Sequence, residues 1–401
     1  MSKLFIRTLY WVLGLIAAIA IYFGTAFGIA SRSNTTAKVA PVAVVFSTRN
    51  NPFFQNVEKG IETAAKELGV DYEVYDSEND SDKEARNISN IIAKQQKVVI
   101  FNDVNEDSGI SAVKKLNQAG IPVIATDHLL NSPKALEAKI KVEANIASDN
   151  KQAGVILAQF MAQKIGLPQD SLTYSVYGIP GTESGESRAQ GFIETVKNLN
   201  NQAIKYNLFS YGKYGKENAN GKTYIGRQAD DNRDLANQRV ANDATQVFQD
   251  AQKRPLLVFG TNDEAALGSI SALESAQIPL GGGDKFLPGS GKVYITGVDY
   301  TNDAQKAILN NKLSATVEQD TDLLGRLSLI IAEKILKDQW KTSKYSDFYS
   351  QFPQLDKDKN PDDQVEQGYY FKVGTKLFWK GPDGKGEKLQ ADENGILQKV
   401  N

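Results

Sequence analysis

Carboxylates and amides recur in this chain at one kind of position, where an apolar run hands over to the segment behind it. Asn51-Pro52-Phe53-Phe54 follows Val42 to Phe46, Asp127 follows Ile121 to Ala125, and Thr261-Asn262-Asp263-Glu264 follows Leu256 to Phe259. Asp103 and Asp299 close two further runs. At such positions an Asp or Asn can cap the next helix by accepting its free N–H groups. Alternatively it can hydrogen-bond a ligand, because open α/β sheets bind ligands at the carboxyl ends of their strands. Capping is the expected role of Asp103. The two clusters around Asn51 and Asn262 lie two hundred residues apart, which suggests two lobes facing one cleft.

Other chemistries fit the residues poorly. The chain has 401 residues, 46 basic and 48 acidic side chains, a net charge of −2, one histidine and no cysteine. Acids and bases are interspersed, so no nucleic-acid footprint is expected. The lack of cysteine removes disulfides, thiolate catalysis, cysteine-bound metals and a lipid-modified cysteine. His128 alone gives little material for a metal site or a Ser-His-Asp relay. The glycine-rich stretch from Gly281 to Gly291 is not a phosphate loop, because Phe286 stands where the first glycine belongs and Val293 where Ser or Thr belongs. Gly185-Glu186-Ser187-Arg188-Ala189 lacks the last glycine of a nucleophile elbow. Asp356, Asp358, Asn360 and Asp362 alternate like half a calcium loop, but Pro361 replaces the turning glycine and Gln367 the bidentate Glu. A solvated acidic turn is expected there. No cofactor is implied.

Strands and helices alternate throughout the segment that presents these residues. Val42 to Phe46, Val70 to Tyr75, Val98 to Phe101 and Ile121 to Ala125 read as strands, with helices at 57–68, Asp82 to Gln95 and Ser108 to Ala119 between them. After Asn145 the pattern restarts. Helices at Gln152 to Ile165, Glu186 to Leu199, Arg233 to Ala251 and Glu264 to Ala276 alternate with strands at Leu172 to Tyr177, Ala203 to Phe209, Leu256 to Phe259 and Val293 to Val298. A strand at Ser314 to Val317 and a helix at Asp322 to Lys337 complete the series. This order predicts an α/β fold of two doubly wound parallel-sheet lobes. Tyr211 to Tyr224 reads as an inserted loop or hairpin, and the last sixty residues as short aromatic strands with a turn at Pro382-Asp383-Gly384.

Lys3 and Arg7 precede an apolar segment from Leu9 to Ala30, about 33 Å long at roughly 1.5 Å per helical residue. It reads as an N-terminal membrane helix, or as a signal segment cleaved near Ala30, with a polar tether from Ser31 to Lys38. The rest of the chain is then expected outside the cytoplasm, in the periplasm or on the outer face of the membrane.

Eight short motifs occur in a fixed order: Asn50-Asn51-Pro52-Phe53-Phe54, Val123-Ile124-Ala125-Thr126-Asp127, Ile146-Ala147-Ser148-Asp149-Asn150, Gly178-Ile179-Pro180-Gly181-Thr182, Arg188-Ala189-Gln190-Gly191-Phe192, Thr261-Asn262-Asp263-Glu264-Ala265-Ala266-Leu267-Gly268, Gly297-Val298-Asp299 and Ala315-Thr316-Val317-Glu318-Gln319. The series resembles the ribose/galactose-type periplasmic sugar-binding proteins of ABC importers, over roughly residues 41–340. The resemblance implies two lobes joined by a three-strand hinge, crossed near 148–150, near Gln319 and once after the last long helix. On this division 1–40 is anchor and tether, 41–147 with about 320–345 is lobe 1, and 148–319 with about 346–401 is lobe 2. It also implies that Asn51, Asp127, Asn150, Arg188, Asn262, Asp299 and Gln319 hydrogen-bond the ligand while Phe53 and Phe54 pack on it.

Two departures bear on the ligand. His128 stands where ribose binders carry a second arginine, and Asp231 where they carry an aromatic wall. Both are taken as ligand contacts here, in a cleft more polar and more negative than a ribose site. A different polyol, a hexose or a partly cationic ligand fits that change. Carboxylates and amides as acceptors with Arg and Asn as donors suit a sugar's hydroxyls, and an aromatic ring suits its C–H face.

The implied function is a monomeric extracytoplasmic solute-binding protein, with a sugar or polyol as ligand and an ABC permease and the membrane as partners. An enzyme working through Asp127, Asp299 and Glu264 would instead need paired carboxyls about 5–10 Å apart and would turn its ligand over. A sensing ectodomain would need a separate signalling partner, since only about eight residues precede the apolar segment. A LacI-type repressor core shares the lobed fold but would carry an N-terminal DNA-binding element in place of a membrane segment.

Overall fold

The computed structural model describes residues 39–167, 172–179, 182–198, 217–219, 222–224, 227–247, 256–287, 289–342, 348, 351–352, 355, 369–392 and 395–400. The apolar segment at 9–30, the strand expected at 203–209 and the acidic turn at 356–362 lie outside them. No helix among the described residues is long and apolar enough to cross a membrane.

The chain from Pro41 onward begins with β1 (Val42–Phe46), α1 (Pro52–Leu68), β2 (Tyr72–Asp76), α2 (Ser81–Ala93), β3 (Val98–Phe101), α3 (Glu106–Gln118), β4 (Val123–Thr126), the short α4 (Pro133–Glu137) and β5 (Ala144–Ser148). It continues with α5 (Asn150–Phe160), which runs on through a π-helical turn at Met161–Ile165, then β6 (Leu172–Tyr177) and α6 (Glu183–Asn198). A small antiparallel pair, β7 (Glu217–Ala219) and β8 (Lys222–Tyr224), fits the hairpin expected there, and β9 (Arg227–Gln228) and α7 (Arg233–Val247) follow. Next come β10 (Leu256–Gly260), α8 (Asp263–Ser275), β11 (Val293–Val298), α9 (Asn302–Leu309), β12 (Ala315–Gln319) and α10 (Thr321–Leu336). Four strands close the chain: β13 (Tyr369–Val373), β14 (Thr375–Lys380), β15 (Gly386–Ala391) and β16 (Leu397–Val400).

Two large sheets result. The first has the order β13-β5-β4-β3-β1-β2 and is parallel throughout. The second has the order β16-β15-β14-β12-β11-β10-β6-β9, parallel from β12 to β9 and antiparallel from β14 outward. The expected pair of α/β lobes is therefore present. The central strands of each sheet are buried on both faces, which is why β1, β3, β10 and β11 are wholly buried and mostly apolar.

The chain crosses between lobes three times, each time within one or two residues. Ser148 ends β5 and Asn150 opens α5; Gln319 ends β12 and Thr321 opens α10. The residue between is an aspartate in both cases, with nearly identical backbone angles: φ −71° and ψ 79° at Asp149, φ −72° and ψ 79° at Asp320. Each accepts a hydrogen bond from the backbone of its helix's first turn. The third crossing departs from the expected division. Residues from 346 onward were assigned to the second lobe, but Phe348, Leu355 and Phe371 belong to the first lobe's core and β13 pairs with β5. Only from Thr375 does the chain join the second sheet. Tyr369–Val373 and Thr375–Lys380 are separated by one residue, yet they lie in different lobes.

Close helix contacts fix each lobe. In the first, Gly60 of α1 and Gly325 of α10 stand where the helices cross, and a Cβ on Gly325 would collide with the Val57 carbonyl oxygen. In the second, Gly154 of α5 and Gly191 of α6 face the carbonyl oxygens of Arg188 and Lys151. Because the obstacle is backbone in each case, Gly325→Ala must push the two helices apart, a change that costs about 1–3 kcal/mol. Chemical denaturation should show that loss, and a variant as stable as the parent would contradict the contact.

Candidate functional site

The cleft is built at the carboxyl ends of both sheets. From the first lobe, Asn51 caps α1 by accepting the Phe53 N–H at 2.9 Å, while Pro52 fixes the first helical residue. That start places Phe53 and Phe54 on the cleft wall, with their rings edge to face at 5.2 Å. Beyond β4 the backbone turns sharply: Asp127 has φ 67°, and its N–H donates to the Ile146 carbonyl. Its neighbour His128 stands edge-on to Phe54 at 6.3 Å.

From the second lobe come Asp231, Asn262, Arg188 and Asp299. Asn262 caps α8 through Oδ1 and donates from Nδ2 to Asp231 Oδ1 at 2.7 Å. Asp231 has φ 55°, a conformation Asp tolerates better than most residues, and any side chain at Gly178 would collide with its carboxylate. Arg188 is 5% exposed, and donates from Nε to Asn150 Oδ1 and from Nη1 to the Thr261 carbonyl, both at 2.9 Å. Its contact with Asp299 is a looser 3.9 Å.

Nine of the eleven residues singled out in sequence line the cleft together: Asn51, Phe53, Phe54, Asp127, His128, Arg188, Asp231, Asn262 and Asp299. Asn150 and Gln319 are buried behind that wall. Asn150 holds Arg188, and Gln319 donates to Asp299 Oδ1 at 2.6 Å. Thr182, Ser184, Gly185 and Thr261 complete the lining. Small and polar, they gave little signal in sequence beyond their nearness to Arg188 and Asn262. The lobes are drawn together over these groups. The space left among these groups is about 20 Å³, close to what a single water needs.

Asp103 has another role than the one expected. Asn105 caps α3, in a reciprocal pair with Ser108. Asp103 stands instead behind His128, whose Nδ1 lies 2.7 Å from the Asp103 carbonyl oxygen and 3.6 Å from its carboxylate. Nε2 of the same ring lies 3.6 Å from Asp127. Burial opposes charge on His128, but the hydrogen bond to Asp103 and the charges of Asp103 and Asp127 outweigh it, raising the pKa from 6.5 to about 9.

The carboxyls are also shifted upward, which for them favours the neutral form. Burial raises Asp127, Asp231 and Asp299 above the usual carboxylate range, and in all three Arg188 opposes the rise. Among the described residues, the buried Oδ1 of Asp127, Oδ1 of Asp103 and Oε1 of Gln319 have no hydrogen-bond donor. No cluster among the described residues could hold a metal ion.

Residues 42–339 match the periplasmic binding protein domain family. The ribose import binding protein RbsB of Escherichia coli strain K12 is 31% identical over 304 residues, covering 76% of this chain and 87% of its own. Its counterpart in Salmonella typhimurium is 32% identical over the same length and shares. Among solved structures, the Caulobacter myo-inositol binding protein bound to myo-inositol has a TM-score of 0.63 at 21% identity, covering 85% of this chain and 93% of its own.

His128 yields a stability test. The folded chain holds its imidazole proton more tightly than the unfolded chain, so this contribution is complete below pH 6.5 and is lost as the pH rises through about 9. Unfolding free energies of the parent and His128→Gln should therefore converge across that window, by up to about 3 kcal/mol. A constant gap from pH 6 to 10 would mean the ring is not held charged.

Proposed function

Because the chain belongs to the periplasmic binding protein family, we propose that it captures a monosaccharide or cyclic polyol between its lobes and delivers it intact to an ABC-type permease. The observation that carries this reading is the buried Oδ1 of Asp127, an acceptor on the cleft wall with no protein donor among the described residues. Leaving such a group unpaired costs about 1–3 kcal/mol. A ligand whose hydroxyls donate and accept at once removes that cost.

In this reading Asn51, Asp127, His128, Arg188, Asp231, Asn262 and Asp299 hydrogen-bond the ligand, Phe53 and Phe54 pack on its C–H face, and Asn150 and Gln319 hold Arg188 and Asp299 in place. Ligand touches both lobes only when they are closed. It therefore binds the closed form better and shifts the population towards it, and the permease reads that shape. The folded domain acts outside the cytoplasm as a monomer, with the apolar segment from Leu9 to Ala30 as membrane anchor or leader. Ribose is the sugar named for the two bacterial relatives, but His128 and Asp231 alter this cleft, so a hexose or a cyclitol fits better.

Thermal-shift screening of residues 38–401 against pentoses, hexoses and inositols tests this directly. At a hundredfold excess over the dissociation constant, a ligand should stabilise the protein by about 2.7 kcal/mol. If no sugar or polyol moves the midpoint, the assignment fails. Arg188→Ala should abolish the response while the protein still unfolds cooperatively, and an unchanged affinity would remove Arg188 from the site.

A further inference from the structure

The charges on the cleft wall do not balance. Its described lining carries three carboxylates, Asp127, Asp231 and Asp299, against the single guanidinium of Arg188 and the imidazole of His128. His128 is already engaged by Asp103 behind it, through both the carbonyl and the carboxylate. Arg188 directs Nε and Nη1 at neutral oxygens of Asn150 and Thr261 and reaches only Asp299, at 3.9 Å. Asp231 is met by an amide, Asn262 Nδ2, and the buried Oδ1 of Asp127 by no donor at all. Behind the wall, Glu183 adds a further acid, bonded to Asn150 and Ser187.

We infer that the ligand is an aminated monosaccharide or aminocyclitol, whose ammonium group sits among Asp127, Asp231 and Asp299. This inference rests on the sugar-binding reading above and narrows it. A neutral sugar supplies a donor for the unpaired Asp127 oxygen but no charge, and leaves three acids facing one loosely placed guanidinium and an imidazole that Asp103 shares. An ammonium supplies three donors and a positive charge together. The acids come from both lobes, Asp127 from the first and Asp231 and Asp299 from the second, so one cationic group attracts both walls and favours closure. Asp231 is firmly placed for this: its left-handed backbone, its bond from Asn262 and the glycine required at 178 fix the carboxylate against the wall. Burial pushes these carboxyls above the usual carboxylate range, and a bound cation would oppose that shift.

Isothermal titration calorimetry on the whole chain at pH 7 decides the matter, using matched pairs: D-glucosamine with D-glucose, D-galactosamine with D-galactose, D-mannosamine with D-mannose, alongside the neutral pentoses and inositols. The best amino sugar should bind at least tenfold more tightly than its neutral partner. Asp231→Asn keeps an oxygen for Asn262 and tolerates the same backbone, so it should lose that tenfold preference, weakening the amino sugar far more than its neutral partner. A neutral ligand that binds as tightly as any amine, or a preference untouched by Asp231→Asn, overturns the inference and leaves the sugar-binding reading standing. Silence across both neutral and aminated panels overturns both. The parent comparison needs no variant, so a folding defect in Asp231→Asn does not blunt it.

Discussion

A guanidinium cannot be buried cheaply unless its N–H groups are bonded and its charge is met, and Arg188 sits where both requirements are only partly fulfilled. Its bond to Asn150 fastens it to the first hinge crossing, and its bond to the Thr261 carbonyl fastens it to the end of β10. Asp299, in turn, is fastened by Gln319 to the second crossing. The polar centre of the cleft is thus tied to two of the three strands about which the lobes would turn. Any change in how Arg188 and Asp299 are engaged is felt at the hinge, a short mechanical path from the site to the lobes' relative position.

The two lobes solve the same problem with the same parts. Each packs one helix against another across a glycine where backbone meets backbone, and each is entered through an aspartate that caps the helix beyond it. The near-equality of the backbone angles at Asp149 and Asp320 means the two connections leave their sheets in the same way. Stiff lobes and short connections concentrate flexibility at the crossings, which suits rigid-body opening better than local loop movement.

Much of this was legible in sequence because apolar runs of four to six residues alternate with helical periods, and that alternation survives without any tertiary information. The cleft residues were legible because Asn51, Asp127, Asn262 and Asp299 each follow a strand. Asp103 follows one too, and sequence could not tell a cap from a partner for His128; the choice depends on Asn105, two residues on, having the better geometry for the α3 N–H groups. The third crossing was hidden for a different reason. Strand adjacency in sequence ordinarily means adjacency in space, and β13 and β14 break that rule with a single residue between them.

That late crossing also bears on the order of assembly. Neither lobe is continuous in the chain: the first needs α10 and β13 to cover the core begun by β1 and α1, and the second needs β14 to flank β12. The first lobe therefore cannot be completed before the residues up to Val373 are made. Contacts of such long sequence separation slow folding, so each lobe closes only when a strand from the segment between Tyr369 and Lys380 has joined its sheet.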